Sequence, residues 1–389
     1  MNYMNMEKLG KYCKIISGYA FKSNDLSEGT EIPVIKIGNI SNGNDVIIDS
    51  STQYVSSDFL SIDEKYHIKK GDVLISLTGS HINQPNSMVG RSCRNFSDTE
   101  FLLNQRAGKV IPNENADKNY LYYLLNTESF KYSICNRAYG AANQANVSPS
   151  DIENIKWNFP PLPTQQKIAS ILSAYDNLIQ NYKKQIEALQ TAASELYKEW
   201  FVRFRFPGYQ TAEFENGIPE GWKIERLTKL VGIKYGKDHS KLDDGNIPVY
   251  GSGGIMRYCN KALYDKETVL IPRKGSLNNI MYANRALWTV DTMFYSIMLR
   301  KNFAKYLYYV LSKIDMESFN AGAALPSMTT EILSHFKIIV PDNKTLELFD
   351  NKIALIFTQI DNLQQQITNL TQQRDLLLPR LMSGKLEVK

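Results

Sequence analysis

The sequence predicts an α+β chain built as two similar globular domains in tandem repeat, separated by a long antiparallel intramolecular coiled coil that gives a pseudo-two-fold plan. Two matched heptad seams, a set of recurring phrases and the strand-like character of the intervening segments carry that prediction. The first seam is Ile168, Leu172, Tyr175, Ile179, Tyr182, Ile186, Leu189, Ala193, Leu196 and Trp200, spaced 4-3-4-3 without a break. Adding 181 to each number gives Phe349, Ile353, Ile356, Ile360, Leu363, Ile367, Leu370, Arg374, Leu377 and Leu381, apolar everywhere except Arg374. Two amphipathic helices on separate cores would show a wider stripe at period 3.6, whereas spacing at 3.5 marks a coiled-coil seam. Each helix should run about 35 residues, or about 50 Å, capped at Thr164 and Thr345 and closed or kinked by Pro207-Gly208 and Pro379.

The globular parts repeat as well. Tyr120-Leu-Tyr-Tyr-Leu-Leu125 returns as Tyr306-Leu-Tyr-Tyr-Val-Leu311, Gly140-Ala-Ala142 as Gly322-Ala-Ala324, and the strand-like run ending at Pro160 as the one ending at Pro341. More loosely, Leu9, Ile15 and Gly18 answer Leu227, Ile233 and Gly236; Pro33-Val34 answers Pro248-Val249, and Val73-Leu-Ile75 answers Val269-Leu-Ile271. The offset drifts from 218 to 181, so the first globular part holds 37 extra residues. Both parts read as short β-branched and aromatic strands broken by Gly, Asn, Asp and Ser. The organisation is therefore 1–160 globular, 161–206 helical, 207–340 globular and 341–389 helical. Because compact domains bring their ends together, the second helix should run back along the first.

The composition narrows the function classes. With 389 residues and 43 % apolar content the chain has material for more than one core, and no run approaches a membrane span. Residues 1–14 lack the apolar stretch of a secretory signal, and Cys13, Cys93, Cys135 and Cys259 are scattered, as are the four histidines. A reducing cytoplasmic setting without structural zinc is expected. The net charge of +5 is mild, with −1 in residues 1–160 and +4 in 207–340. Contact with nucleic acid must come from placed residues rather than bulk charge.

Several phrases in order carry a family resemblance: Lys69-Lys-Gly-Asp-Val-Leu-Ile-Ser76, Phe159-Pro-Pro-Leu-Pro-Thr-Gln-Gln166, Glu195-Leu-Tyr-Lys-Glu-Trp-Phe201, Val249-Tyr-Gly-Ser-Gly-Gly-Ile255, Val269-Leu-Ile-Pro-Arg-Lys-Gly-Ser276 and Leu376-Leu-Leu-Pro-Arg-Leu-Met-Ser-Gly384. Across essentially the whole chain the sequence resembles the specificity (S) subunit of Type I restriction-modification enzymes. The resemblance implies two target-recognition domains, 1–160 and 207–340, each reading half of a bipartite asymmetric site on double-stranded DNA. It also implies helices that set the gap and dock two modification (methyltransferase) subunits, through which restriction (translocase and nuclease) subunits join. S-adenosylmethionine, ATP and Mg²⁺ would then be bound by those partners, with no cofactor, metal or catalytic residue in this chain. Adenine-N6 methylation and ATP-dependent cleavage would likewise belong to other chains. The family offers no code for the target bases. The competing reading is a coiled-coil protein–protein adaptor without DNA specificity.

The motifs agree with a chain that has no chemistry of its own. Asn158-Phe-Pro-Pro-Leu162 departs from the Asn-Pro-Pro-aromatic motif of amino-methyltransferases by its inserted Phe and missing aromatic, and reads as a strand end. Tyr250-Gly-Ser-Gly-Gly254 lacks the strand-to-helix context of a dinucleotide loop, and no phosphate-binding loop or His-Glu-x-x-His is present. The candidates for DNA contact are polar loop residues. In the second globular part they are Lys237, Ser252, Arg273, Lys274 and Ser276, with Asn278 and Asn279 offering amides suited to adenine. In the first they are Lys22 after the aromatics Tyr19 and Phe21, then Ser80, His81, Asn83, Gln84, Asn86 and Arg91. Phosphate positioning and base reading are not separable at this level. Arg374 within the seam is read as a register-setting or snorkelling residue rather than a partner contact.

Overall fold

The computed structural model describes residues 6–29, 31–82, 84, 87–141, 144–319 and 327–388. Packing groups the chain into two units, residues 1–183 with 365–389 and residues 184–364. Each unit thus combines one globular part with a stretch of both long helices.

In the first unit an antiparallel sheet runs in the order Cys13–Ser17, Ala107–Pro112, Val73–Ser76, Ser92–Arg94. The second unit builds the same sheet from Val231–Tyr235, Met293–Met298, Thr268–Pro272 and Met281–Ala283. A parallel pair follows in each, Ile32–Ile35 beside Phe101–Leu103 and Ile247–Gly251 beside Trp288–Thr289. Each pair has an antiparallel outer strand, Gln53–Val55 or Gly254–Cys259. A further two-stranded ladder joins Met6–Lys8 to Lys156–Asn158 and Lys223–Arg226 to Lys337–Val340. The recurring Tyr-Leu-Tyr-Tyr phrases lie in helices Lys118–Asn126 and Ala304–Leu311. Of the Gly-Ala-Ala repeat, Ala142 and residues 322–324 lie outside the described residues.

The loosely matched glycines turn out to be equivalent in detail. The Gly18 N–H donates to the Ala107 carbonyl at 3.0 Å and the Gly236 N–H to the Met293 carbonyl at 2.9 Å. A Cβ on Gly18 would sit 2.2 Å from the Leu103 carbonyl oxygen, and one on Gly236 would sit 1.9 Å from that of Val290. Only a residue without a side chain allows this backbone approach. The extra residues of the first unit lie largely between Ile32–Ile35 and Val73–Ser76. There His67–Ile68 adds a fourth strand to the second sheet.

The long helices span Leu162–Tyr197, continued by a π turn at Lys198–Val202, and Asn343–Met382. Within each unit their stretches run antiparallel. In the first, Ile168 and Leu172 share a core with Leu381, and Asp176 meets Arg374. In the second, Trp200 packs on Phe349 at 5.9 Å, and Ala193 and Tyr197 share a core with Ile353. Of the seam residues, Leu172, Ile179, Ile353, Ile360 and Leu363 are buried, while Ile186, Leu189, Leu196, Ile367 and Leu370 are half-buried.

The helix ends need correction. The cap of the second helix is Asp342, not Thr345: the Asp342 carboxylate accepts the Thr345 N–H at 2.9 Å and its hydroxyl at 2.6 Å. Thr164 lies in the first turn, its N–H donating to the Pro161 carbonyl. Pro379 stands inside the helix, which stops just before Gly384 at φ +70°. Pro379 has no N–H to give the Asp375 carbonyl and so costs the helix one hydrogen bond without stopping it, and the left-handed glycine is the true terminator.

Arg374 enters the seam to meet a buried carboxylate. Asp176 takes Arg374 Nη1 at 2.7 Å, the Tyr123 hydroxyl at 2.5 Å and Arg94 Nη2 at 3.2 Å. The Arg94 guanidinium lies 4.4 Å from the Phe96 ring centroid and 4.9 Å from that of Tyr122. Burial opposes the charge of Arg374, yet the Asp176 and Asp375 carboxylates outweigh it and raise its pKa. In the repeat, Asp176 corresponds to Phe357 and Arg374 to Ala193. Arg94 lies opposite Val73 in its ladder as Tyr282 lies opposite Val269. Accordingly, in the second unit Phe357 packs against Tyr282 at 5.0 Å and Tyr308 and Tyr309 at 6.3 and 6.4 Å. One place in the frame is filled by charge in one unit and by aromatic rings in the other.

Removing one partner of a buried ion cluster strands the remaining charges, at a cost of about 3–5 kcal/mol. Asp176→Ala should therefore destabilise the chain by that order in denaturant unfolding. The triple variant Arg94→Tyr, Asp176→Phe, Arg374→Ala, which copies the second unit, should recover most of the loss. A triple variant no more stable than Asp176→Ala would refute the equivalence.

Candidate nucleic-acid interface

In the second unit strand Thr268–Pro272 is buried at every position and delivers Arg273 at its end. The loop that follows is held by Leu277, which is fully buried. It is closed by the Asn279 N–H donating to the Ser276 carbonyl at 3.1 Å. Gly275 has φ +82°, and a Cβ there would meet Ser252 Oγ at 2.7 Å, so the loop lies close against the 251–254 hairpin turn. Lys274 and Ser276 are exposed and Ser252 is half-buried. Lys237 is fixed through its backbone, its N–H donating to Thr289 and its carbonyl accepting from Trp288 Nε1, which leaves its ammonium in solvent.

The amides expected to meet adenine are already employed inside the protein. Asn278 Nδ2 donates to Asp315 Oδ1 at 3.1 Å and its Oδ1 accepts the Met316 N–H at 2.7 Å. Asn279 Nδ2 donates to the Ser252 carbonyl at 2.8 Å. Both therefore brace loops. Sequence reading saw two amides beside a basic pair and had no access to the acceptors 27 and 37 residues away.

The first unit distributes its candidates differently. Ser80 is buried; its hydroxyl donates to the Gln84 carbonyl at 2.7 Å and shares a bond of 2.8 Å with Ser87 Oγ, closing the loop rather than pointing outward. His81 is half-buried and Gln84 exposed; Asn83 and Asn86 lie outside the described residues. Arg91 is half-buried and donates through Nη2 to the Ile37 carbonyl at 3.0 Å. Burial lowers its pKa from the ordinary arginine value. Lys22 is exposed at the start of a short turn. The aromatics before it belong to a small core, Tyr19 packing on Phe21 at 4.9 Å and on Tyr66 at 5.6 Å.

Two features escaped sequence reading. Tyr235, half exposed, lies beneath Arg273, whose guanidinium is 5.3 Å from the ring centroid. The available signal was the pattern of strand Val231–Tyr235, which brings an aromatic to the surface at its last position. Lys131 is the second: it is buried, and its ammonium donates to Asn42 Oδ1. Among the described residues no group of three His, Cys, Asp or Glu is placed to hold a metal ion. No helix among them is long and apolar enough to cross a membrane.

A model of the Type I restriction modification DNA specificity domain matches residues 2–191 and again 219–376. The chain belongs to this family. It is 26 % identical over 323 residues to the Type I restriction enzyme MjaIX specificity subunit of Methanocaldococcus jannaschii, covering 74 % of each chain. To the HindI specificity subunit of Haemophilus influenzae it is 22 % identical over 420 residues, covering 83 % of this chain and 88 % of the other. The crystal structure of the Type I restriction-modification S subunit from M. genitalium matches the fold with a TM-score of 0.59 at 18 % identity, over 98 % of this chain and 97 % of that one. This chain is a Type I restriction-modification DNA specificity subunit, and the adaptor reading is not favoured. Specificity subunits are generally non-catalytic.

Lys131 supplies a pH test of the first unit. Burial, with the Arg91 charge acting in the same direction against Glu128, pushes its pKa down to about 8 from 10.5. Between those values the folded chain has released a proton that the unfolded chain keeps, so this group makes stability rise with pH across the window, by on the order of 3 kcal/mol. Lys131→Met should flatten the rise in unfolding free energy between pH 8 and 10.5. Identical slopes for the two proteins would show that the lysine is not buried as described.

Proposed function

We propose that residues 1–160 and 207–340 are target-recognition domains, each reading one half of a bipartite, asymmetric double-stranded DNA site. The carrying observation is one backbone frame bearing unlike side chains. The Leu77 N–H donates to Arg106 and its carbonyl accepts from Val147, at 2.9 Å each; the Arg273 N–H donates to Thr292 and its carbonyl accepts from Met328, at 2.8 Å each. The main chain is thus fixed alike while the side chain is leucine in one unit and arginine in the other. Likewise Ser17 and Tyr235 each precede the closely packed glycine. A repeated frame whose side chains differ at equivalent places suits the reading of two unlike half-sites.

The paired helices set the gap and dock two modification subunits, through which restriction subunits join. S-adenosylmethionine, ATP and Mg²⁺ belong to those partners, and the assembly works in the cytoplasm, where it meets the DNA. Lys237 and Lys274, exposed and flexible, suit phosphate positioning; such contacts add salt dependence without sequence information.

The test is reconstitution. The purified chain should neither bind S-adenosylmethionine nor methylate DNA, and adding a modification subunit should give adenine methylation at a split motif. Replacing residues 207–340 by the corresponding part of another specificity subunit should change one half of the motif and preserve the other half and the gap. Methyl transfer by the isolated chain, or a change in both halves, would refute the reading.

The gap has its own test. Seven residues inserted after Leu189 and at the antiparallel partner position of the second helix keep the seam in phase and lengthen each helix by about 10 Å. That length equals about three base steps. The gap should widen by up to three base pairs, with reduced activity because three pairs also turn one half-site by roughly 100°. An unchanged gap at undiminished methylation would show that the helices do not set the spacing.

A further inference from the structure

Arg273 is held before any ligand arrives. Its main chain is bonded on both sides, to Thr292 and Met328, and Nη1 donates to the Asp291 carbonyl at 3.2 Å. Its guanidinium lies over the ring of Tyr235. That ring is itself fixed, packed edge-on against the fully buried Phe294 at 4.9 Å, with its hydroxyl 3.5 Å from Thr330 Oγ1. An arginine ordinarily loses much side-chain freedom when it binds, and here the strand end, the ring and the carbonyl have removed that freedom in advance. The side chain is half-buried, and among the described residues Nε and Nη2 make no hydrogen bond, Nη1 alone being engaged.

Two parallel donors at fixed spacing fit the O6 and N7 acceptors of guanine in the major groove; they fit a phosphate equally well. The surroundings separate the two. Lys234, Lys237 and Lys274 are exposed next to Tyr235 and Arg273 in the sequence, and flexible ammonium groups answer phosphates without needing orientation. A planar fork locked in one plane gains most where the plane of the ligand is also fixed, as it is for a base in a duplex. The first unit has Ser17 and Leu77 at the corresponding places, so the device is present in one half only.

Resting on the two-reader function proposed above, the geometry points to Arg273 as the reader of a guanine in the half-site of the second recognition domain, with Tyr235 as its positioning residue. Discrimination for that guanine rests on the Nε and Nη2 edge and on the ring that sets its plane.

The experiment uses the full chain with its modification subunit and sequences methylated adenines on a random duplex library. The unsubstituted complex should yield a split motif with at least one guanine in one half. Arg273→Ala should relax one guanine by about ten- to a hundredfold and leave the other half and the gap unchanged. Arg273→Lys should relax the same position while the salt dependence stays, because the charge remains and the fork is lost. Tyr235→Ala should relax it partly, and Tyr235→Phe, which keeps the ring, should restore it; a merely structural role would lower activity without touching one base. If Arg273→Ala does not fold, as judged by its melting curve, Arg273→Lys carries the test. An unchanged motif with uniformly weaker methylation and a shallower salt dependence would overturn the proposal in favour of a phosphate contact, and relaxation at a base other than guanine would also overturn it. Methylation by the unsubstituted complex without any split motif would instead refute the two-reader function itself.

Discussion

The seam between the two long helices is the constraint on which everything else depends. Neither globular part closes its core alone: Ile168 and Leu172 of the first helix and Leu381 of the second complete the core around Tyr120 and Leu121, and Phe349 and Ile353 complete the one around Tyr306 and Leu307. An apolar residue every 3.5 positions keeps one face of each helix turned inward but permits sliding by a whole heptad. What forbids sliding is unlike filling at equivalent places. Asp176 must find Arg94, Tyr123 and Arg374, whereas Phe357 must find Tyr282, Tyr308 and Tyr309. A slip of one heptad would set a carboxylate or a guanidinium against hydrocarbon, which costs several kcal/mol per charge. The polar cluster thus adds register more than cohesion, since well-packed rings fill the same place in the other unit.

What the sequence made legible follows from range. Heptad spacing, recurring phrases and strand-like runs are properties of neighbouring residues, and they yielded the tandem α+β plan, the antiparallel pairing and the equivalence of Gly18 with Gly236. The details that stayed hidden depend on partners far along the chain. Asn278 and Asn279 looked available because Asp315 and Ser252 are not adjacent in sequence, and Asp176 gave no sign of burial because Arg374 lies 198 residues away. The helix caps failed for a different reason. Thr and Asp are both good caps, and the choice of Asp342 over Thr345 rests on where the preceding ladder Lys337–Val340 releases the chain. Pro379 misled because its position relative to Gly384, rather than its presence, decides whether it stops a helix.

The two units also show how a frame can be kept while its surface changes. Each strand that holds a Val-Leu-Ile run is followed directly by a residue bonded through both its N–H and its carbonyl. In the first unit that residue is Leu77, turned into the core beneath the ladder of Tyr139–Ala141, Gln144–Asn146 and Thr78–Gly79. In the second the corresponding pairing among the described residues is a single bridge, Lys274 to Ser327. At that strand end arginine takes the place of leucine, half-buried with its guanidinium over the Tyr235 ring.

On the two-reader function proposed above, the two halves would not read DNA with the same positions. A buried Leu77 offers nothing to a base edge, so on that proposal the first half would present other groups, for which its extra residues and the sequence from His81 to Arg91 are where the chain departs from its own repeat. Because the main-chain bonds of the strand end are common to both units, a change of side chain there leaves the frame's hydrogen bonding untouched. The residue there can then change with little cost in stability, provided the new side chain either fills the core, as Leu77 does, or finds a ring and a carbonyl to fix it, as Arg273 does. A lone flexible side chain at that position would satisfy neither condition, since it would have to lose its rotamer freedom each time it met a base.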